Sequence, residues 1–266
     1  MYASGRRLQT LSRDCLPISI HEGTIPLRGA AGTEKRVGFL WVGVPSELVH
    51  LAFAGFVAVG LLGPAFSRRS VALVFVAAAV PDLDSFASLV APGVHRALLH
   101  SLVTVVFVAA LVAVDLQRER SLLRRAFDEH ARRVGSTAVV ALFAAGIAPD
   151  LVTNGVNLLY PLADQFYTVS GHFRFSSTRG VVQTFVDLTP EPPVSLDPTS
   201  GGAGAGNAPT TESRFYYTGV DPTRGKEPEN VERVFPVVNS GMQLLVVATS
   251  ALTVWARFRD TAESAE

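Results

Sequence analysis

Five apolar runs, at 39–64, 70–80 continuing to 89, 97–116, 134–151 and 235–255, are separated by polar segments rich in Arg, Pro or Gly. The first and last are about one tilted membrane span long by the ~20-residue rule. The second is interrupted by Pro81 with Asp82 and Asp84, and the fourth ends in IAPDL. These runs predict an all-α polytopic membrane protein of about five transmembrane helices. Residues 161–234 are too long for a turn and form the expected outer loop region. Within it, GHFRFSS and RGVVQTFVDL alternate as strands do, whereas 195–213 has the Gly, Ser, Thr and Pro composition of a flexible linker. The expected organisation is therefore a disordered lead at 1–38, whose start can be an over-called one, a four-span core at 39–160, the loop region, a fifth span at 235–256 and a charged tail at 257–266.

Composition supports this reading. The 266 residues are 48% hydrophobic and 17% charged, with a mean hydropathy of +0.31, against about 25% charged in soluble domains. Lys plus Arg and Asp plus Glu both total 23, so no net field draws in nucleic acid. One cysteine, Cys15, excludes an internal disulfide and a zinc ribbon, leaving His and carboxylates for any metal site. Arg68 and Arg69, the cluster Arg118, Arg120, Arg124, Arg125, Arg132 and Arg133, and Arg257 and Arg259 all fall on one side of a five-span arrangement. By the positive-inside rule that side is cytoplasmic. The basic lead argues the other way.

Ionisable residues inside apolar spans are costly and mark function by default. His50 lies near the start of the first span, Asp82 and Asp84 at the end of the second, His95 and His100 around the start of the third, and Asp150 at the end of the fourth. In an up-and-down topology the starts of odd spans and the ends of even spans share one leaflet, so all of these groups converge, on the outer face in the orientation above. Imidazoles and carboxylates without thiolate suit zinc or manganese. His95 and His100 lie five residues apart, about 140° on a helix, so both reach one site only if His95 precedes the helix. Taken singly, each residue also has a plain structural role: an interfacial histidine, a helix-ending Pro-Asp turn, or an anchoring Arg96. Glu47 either orients His50 or caps the span at the interface, and Asn154 and Asn157 either offer amide oxygens or form a helix-ending turn around a left-handed Gly155. The segment 201–206 is linker rather than a dinucleotide loop, SGH at 170–172 lacks the rest of a phosphatase motif, and His21 and His130 read as surface residues.

The series VHLAFAGFVAV at 49–59, AAAVPDLDS at 77–85, HRALLHS at 95–101 and PDLVTNGVNLLYPL at 149–162 resembles the YdjM-type membrane-bound metal-dependent hydrolases. The positions that match the family pattern are His50, Asp82, Asp84, His95, Arg96, His100, Ser101 and Asp150. The chain departs from the pattern at Gly146, where the family has a histidine four residues before the aspartate. That leaves a smaller ligand set, a compensating group such as His172, or lost activity. The resemblance implies metal-dependent hydrolysis. The resulting expectation is a divalent metal, Zn or Mn, held by His50, Asp82, Asp84, His95, His100 and Asp150. Asp82, Asp84 and Arg96 act in catalysis on an ester, phosphoester or amide of a lipid-like substrate in the bilayer, through water activated by the metal. The alternatives are a non-catalytic or degenerate membrane protein, or ion or proton handling by the same cluster.

Overall fold

Helices form where the apolar runs lie. The computed structural model describes residues 46–169, 173–178, 180–183, 210–223, 226–231 and 233–263; the lead at 1–38, most of the 195–213 linker and His172 lie outside them. Extended Ser46 precedes α1, Glu47–Leu61, and a tight turn over Gly63–Ala65 leads to α2, Arg68–Ala79, capped by Ser67 Oγ accepting from Ser70 N–H at 3.2 Å. Pro81 has no N–H and cannot continue α2. The chain turns there through Pro81–Leu83 into the short α3, Asp84–Ala87, bent by 44° from α2.

The third apolar run starts its helix late. α4 is Leu102–Gln117, begun by Ser101 Oγ accepting from Thr104 N–H at 3.2 Å, so His95, Arg96 and His100 all lie in the irregular segment before it. α5, Leu122–Phe127, and α6, Ala131–Ala141, lead into a π-helical turn over Leu142–Ile147 and then α7, Ala148–Thr153. Together they make a 32-residue helical stretch, Leu122–Thr153. In the polar region before the last helix, β1, Phe173–Ser176, pairs antiparallel with β2, Gly180–Gln183, with Phe173 opposite Gln183. α8 is Gly241–Glu263.

Among the described residues, three stretches are long and apolar enough to cross a membrane: Glu47–Ala65, Leu122–Thr153 and Gly241–Glu263. A fourth is the bent pair of α2 and the Pro81–Ala87 segment. α4 has 16 residues, about 24 Å at 1.5 Å per residue, short of a ~30 Å hydrocarbon core. It buries none of its residues and exposes Val106, Phe107, Leu111 and Val114.

α1 lies at the centre, against α2, α6 and α8. Most of the buried core between them is small, with Ala54, Ala58, Val74, Ala78, Val134, Ala141 and Ala145, and Leu62, Ala65, Phe66 and Val71 complete it. Small residues let helix backbones approach closely where water cannot drive association. Ser250 Oγ of α8 donates to the Ala52 carbonyl at 2.7 Å. At one end of these helices, Arg133 Nη1 donates to the Leu62 carbonyl at 3.4 Å and Arg257 Nη2 to the Gly63 carbonyl at 3.5 Å. At the other, Ser46 Oγ donates to the Val237 carbonyl. α1 and α8 therefore run parallel, with arginines gathered at their C-terminal ends.

Candidate metal centre

The ends of four elements without arginine clusters meet around His50, Asp82, His100 and Asp150. Within α1, His50 is 1% exposed, and its Nδ1 lies 2.7 Å from the Ala145 carbonyl. That carbonyl is open because the residue four further on is Pro149, which has no N–H to give it. A carbonyl only accepts, so His50 Nδ1 carries the proton and Nε2 presents its lone pair. Nε2 lies 3.7 Å from Asp150 Oδ2 and 4.0 Å from Asp82 Oδ2. Glu47 does not orient this ring; the Ala145 carbonyl does.

Asp84 performs the corresponding task for the other histidines. Fully buried, it accepts from His95 Nδ1 at 2.8 Å and His100 Nδ1 at 2.9 Å, and from the backbone N–H groups of Arg96 and Leu99 at 3.1 and 3.3 Å. Its oxygens are thereby committed to the loop that carries the histidines. The loop wraps the carboxylate tightly enough that Arg96 takes a φ of 63°, a left-handed conformation costly for a residue with a Cβ. With Nδ1 bound to Asp84, His100 turns Nε2 toward Asp150 Oδ2 at 3.1 Å and Asp82 Oδ1 at 3.6 Å. A ring lone pair and a carboxylate oxygen at that separation repel unless a cation lies with them. A proton on the ring or a metal ion supplies it.

The donor set fits a metal. His50, Asp82 and Asp150 each offer one ligand atom, all within 4.8 Å of one another, and His100 Nε2 adjoins the group. Ligands on a tetrahedral ion with ~2.1 Å bonds stand about 3.4 Å apart, within the 3.1 to 4.0 Å separations here. Asp82 Oδ2 is buried without a hydrogen-bond partner, whereas such atoms are normally satisfied. Each histidine also has its far nitrogen held by a carbonyl or carboxylate, as metal-ligating imidazoles do. The cluster can hold a metal ion.

Gly146 marks a close approach of two segments. A Cβ there would stand 2.6 Å from the Ala78 carbonyl and 2.9 Å from Pro81 Cγ, so the π-helical turn packs directly on the kink that presents Asp82. Any side chain at 146, histidine included, would push that kink away. Asn157 is committed elsewhere: its Nδ2 donates to Asp164 Oδ1 at 2.7 Å and its Oδ1 accepts from Gln165 N–H at 3.2 Å. Gly155, at φ 87°, closes α7 with its N–H on the Asp150 carbonyl at 2.8 Å, the helix-ending turn expected there.

Sequence reasoning missed the residue that covers this loop. Tyr216, from the polar region before α8, lays its ring over the Arg96 guanidinium at 4.6 Å and stands edge-on to His95 with ring centroids 5.9 Å apart. Its hydroxyl donates to the Asn154 and Gly155 carbonyls at 2.8 and 2.9 Å. Burial pushes the Tyr216 phenol up from its usual range, which keeps it protonated and donating. A tyrosine 120 residues after Arg96 carries no local signal of this contact.

A helical membrane protein with a buried His/Asp cluster able to hold a metal ion is the class that fold and site define. Within that class, the sequence model of the YdjM inner membrane proteins matches residues 47–210, and the chain belongs to that family. No curated protein and no solved structure matches it.

Proposed function

We propose that this protein is a membrane-embedded metal-dependent hydrolase. A divalent ion, zinc or manganese, would be held by His50, Asp82, His100 and Asp150, with Asp84 and His95 setting the orientation of the loop behind them. The observation that carries this reading is the pair of imidazoles whose Nδ1 protons are taken by Ala145 and Asp84, leaving both Nε2 atoms toward two carboxylates. A divalent ion in such a site acidifies water and polarises an ester, amide or phosphoryl oxygen. Asp82 is the most exposed member of the cluster, its side chain 29% accessible, and is the carboxylate placed to accept a proton from water at the mouth. Arg96 Nη2 stands 2.7 Å from Asp150 Oδ1 and fixes that carboxylate.

The substrate would be lipid-like, because the cluster lies where spans end. In the full topology α4 is the remaining span, its 16 residues lengthened by the 95–101 segment, and the arginine-bearing ends are cytoplasmic. The site then faces outward in the cell membrane. The test is turnover of short-chain lipid esters and phosphoesters by detergent-purified protein. Asp82→Asn is expected to lose activity by about a hundredfold or more at unchanged expression, and full activity in that variant would contradict the reading.

A further inference from the structure

Arg96 is 2% exposed and its Nη2 is engaged by Asp150, yet Nε and Nη1 are buried and make no hydrogen bond. Three of the five guanidinium N–H groups are thus without an acceptor. Leaving donors of a charged group unpaired in a buried place is costly. The surroundings supply a roof. Tyr216 covers the guanidinium face at 4.6 Å, and its own chain is pinned on both sides. Thr211 N–H and Oγ1 donate to Asp164 at 3.0 and 2.6 Å, and Arg214 Nη2 reaches the Asn154 carbonyl. The fit is tight: a Cβ on Gly93, in the loop before His95, would lie 1.9 Å from the Thr211 carbonyl. All but the first residue of this 210–217 segment lie beyond the stretch that the family model matches, 47–210.

We infer that the 210–217 segment completes the site, with Tyr216 positioning Arg96 so that its unpartnered Nη1 donors receive an oxyanion, a phosphoryl group above all, beside the carboxylates of the metal centre. This rests on the reading of the cluster as a metal centre and narrows its substrates to those carrying an anionic oxygen next to the bond attacked. Guanidinium binds such groups through directed, charge-assisted hydrogen bonds, and an aromatic face holds its plane. An ammonium in its place has the charge without the geometry.

The experiment is calorimetric titration of inorganic phosphate into zinc-loaded, detergent-purified full chain, with zinc content measured on every sample. Wild type is expected to bind. Arg96→Lys should weaken binding by about tenfold or more and Tyr216→Leu by about fivefold, while Tyr216→Phe, which keeps the ring face, stays within about twofold, all at equal zinc content. Tyr216→Leu leaves both partners of the Arg96–Asp150 ion pair in place and decides the matter if Arg96→Lys loses zinc. Competition then identifies the source: dioctanoyl phosphatidic acid displacing phosphate supports a lipid-borne group, and phosphate binding alone supports the free ion. No phosphate binding by wild type, equal binding by Arg96→Lys and Tyr216→Leu, or equal displacement by uncharged dioctanoylglycerol overturns the inference. Phosphate binding that follows Arg96 and Tyr216 in a protein that takes up no zinc would sink the metal reading and reduce this inference to an oxyanion site at Arg96 alone.

Discussion

Asp84 shows how much of this site depends on where protons sit. One buried carboxylate holds Nδ1 of two histidines and two backbone N–H groups, so it fixes both the tautomer of His100 and the path of the loop. Asp84→Asn keeps the size and removes the charge. Its amide cannot accept from all four donors, and one ring must turn or change tautomer. Metal affinity is expected to fall by about ten- to a hundredfold, read by chelator competition, with the helical circular dichroism unchanged; unchanged affinity would show that Asp84 does not set the ring. At this scale His50, Asp82, His100 and Asp150 were legible in the sequence, because ionisable groups in apolar runs stand out and alternating topology gathers them. Their division of labour was not legible, since Asp82 and Asp84 look alike in PDLD and only the bend after Pro81 sends one toward the cluster and the other behind it. The Ala145 carbonyl left one trace, a proline four residues downstream. Tyr216 left none.

Among the elements, hydropathy located the helices but not their ends. The apolar run from 97 predicts a helix there, yet α4 begins at Leu102, because the N–H groups of Arg96 and Leu99 are drawn to Asp84 and the backbone at Arg96 is left-handed. That delay is what lets His95 and His100, five apart in sequence, share Asp84. The π-helical turn at Leu142–Ile147 was equally hidden. It brings Gly146 against the α2 kink and turns Asp150 to the same side as His50, and it accounts for a glycine where the family resemblance implies histidine: the space is filled by Ala78 and Pro81. The strands were legible from alternation, and β1 and β2 fall inside the two segments that showed it.

For the whole molecule, the separation of charge types is the organising feature. Arginines gather at the ends of α1 and α8 where Arg133 and Arg257 reach the Leu62 and Gly63 carbonyls, and the His/Asp cluster lies at the other end of α1. This separation predicts sidedness. After Cys15→Ser, a cysteine introduced at Arg124 should resist a membrane-impermeant maleimide in intact cells and one at Asp221 should react; the reverse pattern would put the site on the cytoplasmic face. The central claim, however, is that the cluster holds a metal, and it is tested most directly by elemental analysis of detergent-purified full chain beside a His50→Ala/His100→Ala variant. The account predicts about one equivalent of zinc or manganese in the wild type and loss of it in the variant at equal helical content. A well-folded wild type that takes up neither metal when both are supplied, or a variant that keeps the same amount, would contradict it.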